Sequence, residues 1–263
     1  MHRNDEYVYE ISNDAGRSIM GSRQENWFFR QLSESEARGA TWRLIGNQMI
    51  FSSMVLTAEA DEDEEIPIDV DAWDGYLASK NRTFQHVYDN ELSNIIMLAG
   101  DSHQNWVSDL IWLNEKTYDP VTGQGSIGVE FAVTVVSSDG LEGSIAEAEG
   151  VSRGFVADNV ELQWQEGYYR GYLELHITHE TIHAQYFGCP TVRTRNGFDL
   201  PLANFTVYAG ENRLARPIAG GIVEAGALAV GEVEHTNLTL DSETGEWSYT
   251  GFDQMFLPLL EDD

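Results

Sequence analysis

Apolar positions along the first half of the chain alternate between helical stripes and short continuous runs. Met1–Gly21 is polar and reads as irregular. Ser22 opens a helix, because Ser22 and Glu25 have capping-box spacing, Trp27, Phe28 and Leu32 form an apolar stripe, and Gly39 marks the stop. Thr41–Phe51 reads as a strand interrupted by Asn47 and Gln48. A polar pair inside such a run either caps a buried turn or lines a cleft. Thr57–Asp74 is a loop carrying the acidic run Asp61–Glu65, a solvated insertion by its composition. Trp73–Leu92 places Leu77, Phe84, Val87 and Leu92 at roughly helical spacing. It leads into Asn94–Ala99, a nearly continuous apolar run expected of a strand covered on both faces.

The second half changes character. Asn105–Leu113 and Gly128–Ser137 read as strands, Gly150–Asn159 as a loop, and Val160–Phe187 as strands with a turn near Thr178–Glu180. Hairpins are expected around Asn196-Gly197 and across Asp241–Gly245. The tail Gly251–Asp263 ends in an apolar patch and a charged stub. Helix, strand, helix, strand followed by many strands defines an α/β layer with a β-rich continuation, an α+β class.

At 263 residues the chain can bury a large core, and 42% hydrophobic content favours folding over disorder. The net charge of −29, with two lysines and thirteen arginines, excludes a nucleic-acid-binding surface and attachment to anionic membranes. It favours divalent cations. A single cysteine, Cys189, excludes an internal disulfide framework. No apolar run has the length of a membrane span, and Met1–Asp14 lacks a signal-peptide core.

The candidate chemistry follows Ala99. Gly100 permits a turn, and Asp101 and His103 come where the strand runs out. Ligands bind beyond the carboxyl ends of strands in layered folds. A carboxylate and an imidazole two residues apart can serve one metal ion. Asn47, Gln48 and Asn105 are amides able to orient such ligands. Trp73, Asp74 and Tyr76 either tie a helix start to its loop or wall a cleft, and Arg170 either grips an anion or pairs with a neighbouring carboxylate. His176, His179 and His183 sit across an expected hairpin and read as surface histidines rather than a zinc site.

The ordered set GSRQENWFFRQL (21–32), GATWRLIGNQMIFS (39–52), DAWDGYLASKNRTFQHVYDN (71–90), IIMLAGDSHQNWVSDLIWL (95–113), GVEFAVTVVSS (128–138) and YYRGYLELHIT (168–178) resembles the alkaline phosphatase D (PhoD-like) family of metallophosphoesterases. The resemblance implies an αββα sandwich with two facing mixed sheets. It implies hydrolysis of phosphate monoesters and diesters, small-molecule substrates, at a calcium and iron site. The family's GDxH motif falls on Gly100–His103, so Asp101 and His103 are the implied metal ligands and catalytic residues. Residues 1–190 would be the C-terminal part of the phosphatase domain and 191–263 a β-rich extension packed on it. The family's remaining ligands, among them aspartates, an asparagine, a tyrosine and an iron-binding cysteine, precede anything in this sequence, and Cys189 is not equivalent to that cysteine. The expectation is an incomplete ligand set, inactive alone, whose partner is the missing N-terminal part of the same protein. Secretion is the family's usual fate. The alternative is a non-catalytic β-rich binding module that retains a vestigial metal motif.

Overall fold

The computed structural model describes residues 5–56, 69–141, 143–193, 195, 197–245 and 247–249. The acidic run Asp61–Glu65 and the tail beyond Tyr249 lie outside the described residues.

Two helices come first. Helix α1 (Asp5–Ile11) occupies part of the segment expected to be irregular. Helix α2 (Gly21–Ala37) has no side-chain cap, so the expected Ser22–Glu25 box does not form. Glu25 turns inward instead. It accepts hydrogen bonds from Ser18, Ser79 and Arg82, clamping α2 to the next helix. A buried carboxylate gains more from an arginine and two hydroxyls than from one backbone amide.

Strand β1 (Arg43–Gly46) stops before Asn47, shorter than its apolar pattern. A 3-10 turn (Trp73–Tyr76) then feeds helix α3 (Leu77–Asp89). Strands β2 (Ile95–Ala99), β3 (Asn105–Leu110) and β4 (Gly128–Ala132) follow. Helix α4 (Ile145–Asp158) covers most of the expected loop Gly150–Asn159. Its start is a formed capping box, Ser144 with Glu147, and Ile145, Ala148, Ser152 and Phe155 face inward. Packing of that stripe overrides the two glycines, Gly150 and Gly154, which made the segment look like a loop. Strands β5 (Leu162–Glu166), β6 (Arg170–Ile177), β7 (Thr181–Cys189) and β8 (Leu200–Tyr208) come next. Short strands β9 (Ile222–Val223), β10 (Ala227–Leu228), β11 (Glu232–Val233), β12 (Leu238–Leu240) and β13 (Trp247–Tyr249) end the described chain. The β12–β13 pair is the hairpin expected across Asp241–Gly245. Strands β7 and β8 pair antiparallel across the segment that contains Asn196-Gly197, of which residue 196 lies outside the described residues.

The central sheet has the order β1-β2-β4-β3-β5-β10. Strands β1, β2 and β4 are mutually parallel, and β3 runs antiparallel to β4 and β5. A second antiparallel sheet, β6-β7-β8, faces it. Alternation along β2 separates the layers. Ile95 and Met97 pack with Leu32, Phe84 and Val87 on the helix side, whereas Ile96 packs with Trp164, Tyr186 and Phe205 against the second sheet. Phe155 of α4 packs with Trp106 and Leu162 on the helix side. Helices, mixed sheet and second sheet form three stacked layers, which fits the expected α+β class. The second sheet is antiparallel, not mixed as the resemblance implied, because β6, β7 and β8 follow one another as hairpins. The irregular register opposite Val107 and Ser108 lets Leu162 face the helices and Trp164 face the second sheet.

Candidate active site

One edge of the central sheet gathers the chemistry. The parallel strands β1, β2 and β4 end there, at Gly46, Ala99 and Ala132. Strand β5 ends there at Glu166, and β3 begins there at Asn105.

The loop leaving β2 is sharply bent. Asp101 has φ 70° and His103 φ 61°, a left-handed conformation that L-residues seldom adopt. Gly100 does not supply the turn. The Ser102 amide donates to the Gly100 carbonyl at 2.8 Å, and the Trp106 indole donates to the Ser102 hydroxyl at 2.9 Å. Both Asp101 and His103 are exposed. The pair is right in kind for a hard or borderline cation, one carboxylate and one imidazole on a bent loop. It is short in number. Among the described residues no group of three or more His, Cys, Asp or Glu is arranged to hold a metal.

The segment after β1 runs alongside. The Gln48 carbonyl oxygen lies 3.8 Å from where a Cβ on Gly100 would sit. The Asn47 amide donates to the Met49 carbonyl, and its oxygen accepts from the Trp73 indole at 3.1 Å. A cavity of about 380 Å³ opens between α2 and this segment, lined by Trp27, Trp42, Asn47, Gln48 and Trp73. Asn47, Gln48 and Trp73 therefore line one cavity.

Other sequence candidates go elsewhere. Asp74 does not cap α3 with its side chain, and it lines a second cavity with Ser102 and Gln104, beside the loop leaving β2. It is buried against Lys80, with Ser53 and the Met54 amide also donating to it. Tyr76 lies under the Arg17 guanidinium, 4.2 Å from its ring centre. Arg170 pairs with no carboxylate within salt-bridge distance among the described residues. It donates instead to the Ser138 and Tyr168 carbonyls and lines a separate cavity with Arg193. His176 and His183 face each other across β6 and β7, His179 approaches Thr41, and all three are exposed.

Asn105 is buried and bonded on both sides. It donates to Glu166 at 2.9 Å and accepts from the Thr134 amide at 2.9 Å. The sequence reading found Asn105 but missed Glu166, Thr134 and Glu130. Glu130 is buried in β4 and accepts from the amides of Phe51 and Ser52, fixing the chain beyond β1. Burial pushes its carboxyl upward despite those bonds. Burial likewise pushes Glu166 up to about 7, against the amides of Tyr169 and Tyr168 and the Asn105 side chain. The signal available for Glu130 was a lone acid inside the otherwise apolar strand GVEFA, whereas Glu166 ends the mixed strand LQWQE and carries no such signal.

The layered mixed sheet, with an acid–histidine loop beyond the carboxyl ends of its parallel strands, defines an α+β domain. A family model described as PhoD-like phosphatase matches residues 2–186, and the chain belongs to that family. Alkaline phosphatase D of Bacillus subtilis (strain 168) is 28% identical over 224 residues, covering 85% of this chain and 35% of that protein. A solved structure titled "Structure of PhoD" matches with a TM-score of 0.65 at 26% identity, covering 85% of this chain and 38% of that one. The chain thus spans about a third of the length of these relatives.

Proposed function

We propose that this chain contributes to hydrolysis of phosphate monoesters and diesters, with Asp101 and His103 as ligands of a calcium and iron site. The observation that supports this most directly is the bent Gly100–His103 loop. It presents two unlike donors at the carboxyl edge of parallel strands, in a chain of the PhoD-like family. Bound cations would neutralise charge on the phosphoryl oxygens. The chain's own part is to hold geometry. Asp101 offers a hard carboxylate oxygen and His103 an imidazole nitrogen. Asn47 and Trp73 brace the neighbouring wall.

Calcium takes six to eight oxygen ligands, so two donors do not complete a site. Hydrolysis therefore needs further donors, and the partner we propose is polypeptide equivalent to the part of the relatives that this chain does not cover. An extracellular location, rich in calcium, suits the net charge of −29. No helix among the described residues is long and apolar enough to cross a membrane.

The test is hydrolysis of p-nitrophenyl phosphate and its bis-ester with added calcium and ferric iron, alone and with the corresponding remainder of a relative supplied in trans. The expected result is turnover only when the remainder is present, abolished by Asp101→Ala and by His103→Ala. Turnover that survives both substitutions would overturn the assignment.

A further inference from the structure

We infer that Glu166 is a positioning residue for the Asp101–His103 loop, acting through Asn105 and Thr134; the role at the metal site rests on the ligand assignment above.

Two left-handed residues in one five-residue loop do not hold themselves. Such conformations persist where the surroundings over-determine them. On one side the Trp106 indole pins Ser102. On the other a chain of hydrogen bonds reaches the loop from strands β4 and β5. The Thr134 hydroxyl donates to the His103 carbonyl at 2.9 Å. The Thr134 amide donates to the Asn105 side-chain oxygen at 2.9 Å, and the Asn105 side-chain NH2 donates to Glu166 Oε2 at 2.9 Å. Glu166 Oε1 accepts from the amides of Tyr168 at 2.6 Å and Tyr169 at 2.9 Å.

Polarity fixes the order. Both Glu166 oxygens accept here and the Thr134 backbone amide only donates, so one orientation of the Asn105 amide satisfies both neighbours. Glu166 and the Thr134 amide select the same orientation, Glu166 anchors Asn105 to β5, and the Thr134 hydroxyl holds the His103 carbonyl. Asn105 and Glu166 are each 1% exposed and Thr134 7%, so water does not substitute for a lost bond. The relay ties the ends of β3, β4 and β5 to the loop leaving β2. It provides the rigid support that a ligand on a loop requires.

The experiment uses three variants. Glu166→Gln keeps the shape but replaces one accepting oxygen with an NH2, which then meets a donor either at Asn105 or at the Tyr168 and Tyr169 amides. Thr134→Val removes only the last bond. Asp101→Ala tests the ligand assignment itself. In metal-free, nitrogen-labelled protein the His103 amide and ring resonances are compared with those of His183, on the outer face of the second sheet. Both Glu166→Gln and Thr134→Val are expected to shift His103 and leave His183 in place. Titration with manganese as a paramagnetic probe, in every case with the corresponding remainder of a relative supplied in trans, is expected to show roughly 10–100-fold weaker binding in Glu166→Gln. Asp101→Ala is expected to abolish binding while leaving the relay intact. If wild-type protein takes up no manganese, or Asp101→Ala binds it as well as wild type, the ligand assignment fails while the His103 resonances still report on the relay. Folded Thr134→Val and Glu166→Gln proteins with unmoved His103 resonances would overturn the inference. Should Glu166→Gln fail to fold, Thr134→Val decides alone.

Discussion

Lys80 and Asp74 form a buried ion pair, Nζ to Oδ1 at 2.7 Å, with side chains 4% and 5% exposed. Ser53 closes the arrangement, accepting from Lys80 at 2.7 Å and donating to Asp74 at 3.0 Å. The pair joins the 3-10 turn to α3 and to the segment after β1. Removing one partner leaves a buried charge without compensation. Lys80→Met is therefore expected to cost about 3–5 kcal/mol, read from chemical denaturation. Adding Asp74→Leu to it should restore most of that loss. A single-variant cost under about 1 kcal/mol would mean the pair is solvated.

Glu161 is 2% exposed, and burial pushes its carboxyl up to about 7. Its own backbone amide and Lys80 act against the rise, and Asp74 and Glu130 add to it. Folding thus favours the protonated acid. Its stabilising contribution is complete below the unfolded-chain pKa of about 4.3 and is lost as pH rises through about 7. Glu161→Gln should match wild type near pH 4 and exceed it above pH 7 by roughly 3 kcal/mol, at ~1.4 kcal/mol per pKa unit. Denaturation curves across that range measure the divergence. Parallel curves would refute a buried acid at this position.

Asp101 and His103 occupy left-handed backbone at a cost that glycine would not incur. Asp101→Gly and His103→Gly are expected to leave stability unchanged or raise it by up to about 1 kcal/mol. The same substitutions should eliminate metal uptake. Melting temperature and a metal titration on one preparation separate the two effects. A destabilised Asp101→Gly protein would show that the side chain, not the backbone, holds the loop.

Trp164 joins the two sheets. It is fully buried, its ring centre is 5.0 Å from that of Tyr186 and 5.4 Å from that of Phe205, and its indole donates to the Ala225 carbonyl at 2.9 Å. Trp164→Ala should cost about 3–5 kcal/mol. Trp164→Phe keeps much of the packing but leaves the Ala225 carbonyl unbonded, and should cost about 1–3 kcal/mol. Urea midpoints that rank the two in the opposite order would contradict this account of the junction.

Strand β2 and the loop after it were legible because their cause is local. A five-residue apolar run sets the strand, and the polar GDSH sequence ends it. Helix α4 was not legible, because Gly150 and Gly154 argue against a helix that packing of Phe155 and Ala148 sustains. The partner of Asp74 was not legible for a related reason. Its position suggested a tie between a helix start and its loop or the wall of a cleft, yet Lys80 is reached only when the turn folds inward.

The sequence by itself determined which segments pair their apolar positions, the acid–histidine break beyond β2, and the family to which that ordered set belongs. Periodicity and motif order are properties of near neighbours along the chain. Only the tertiary structure decided that β1, β2 and β4 end at one edge, that Asn47 meets Trp73, and that Asn105 binds Glu166 across 61 residues of sequence. A buried polar group must find a partner, but which partner it finds is set by strand register and layer packing, and no local pattern encodes those.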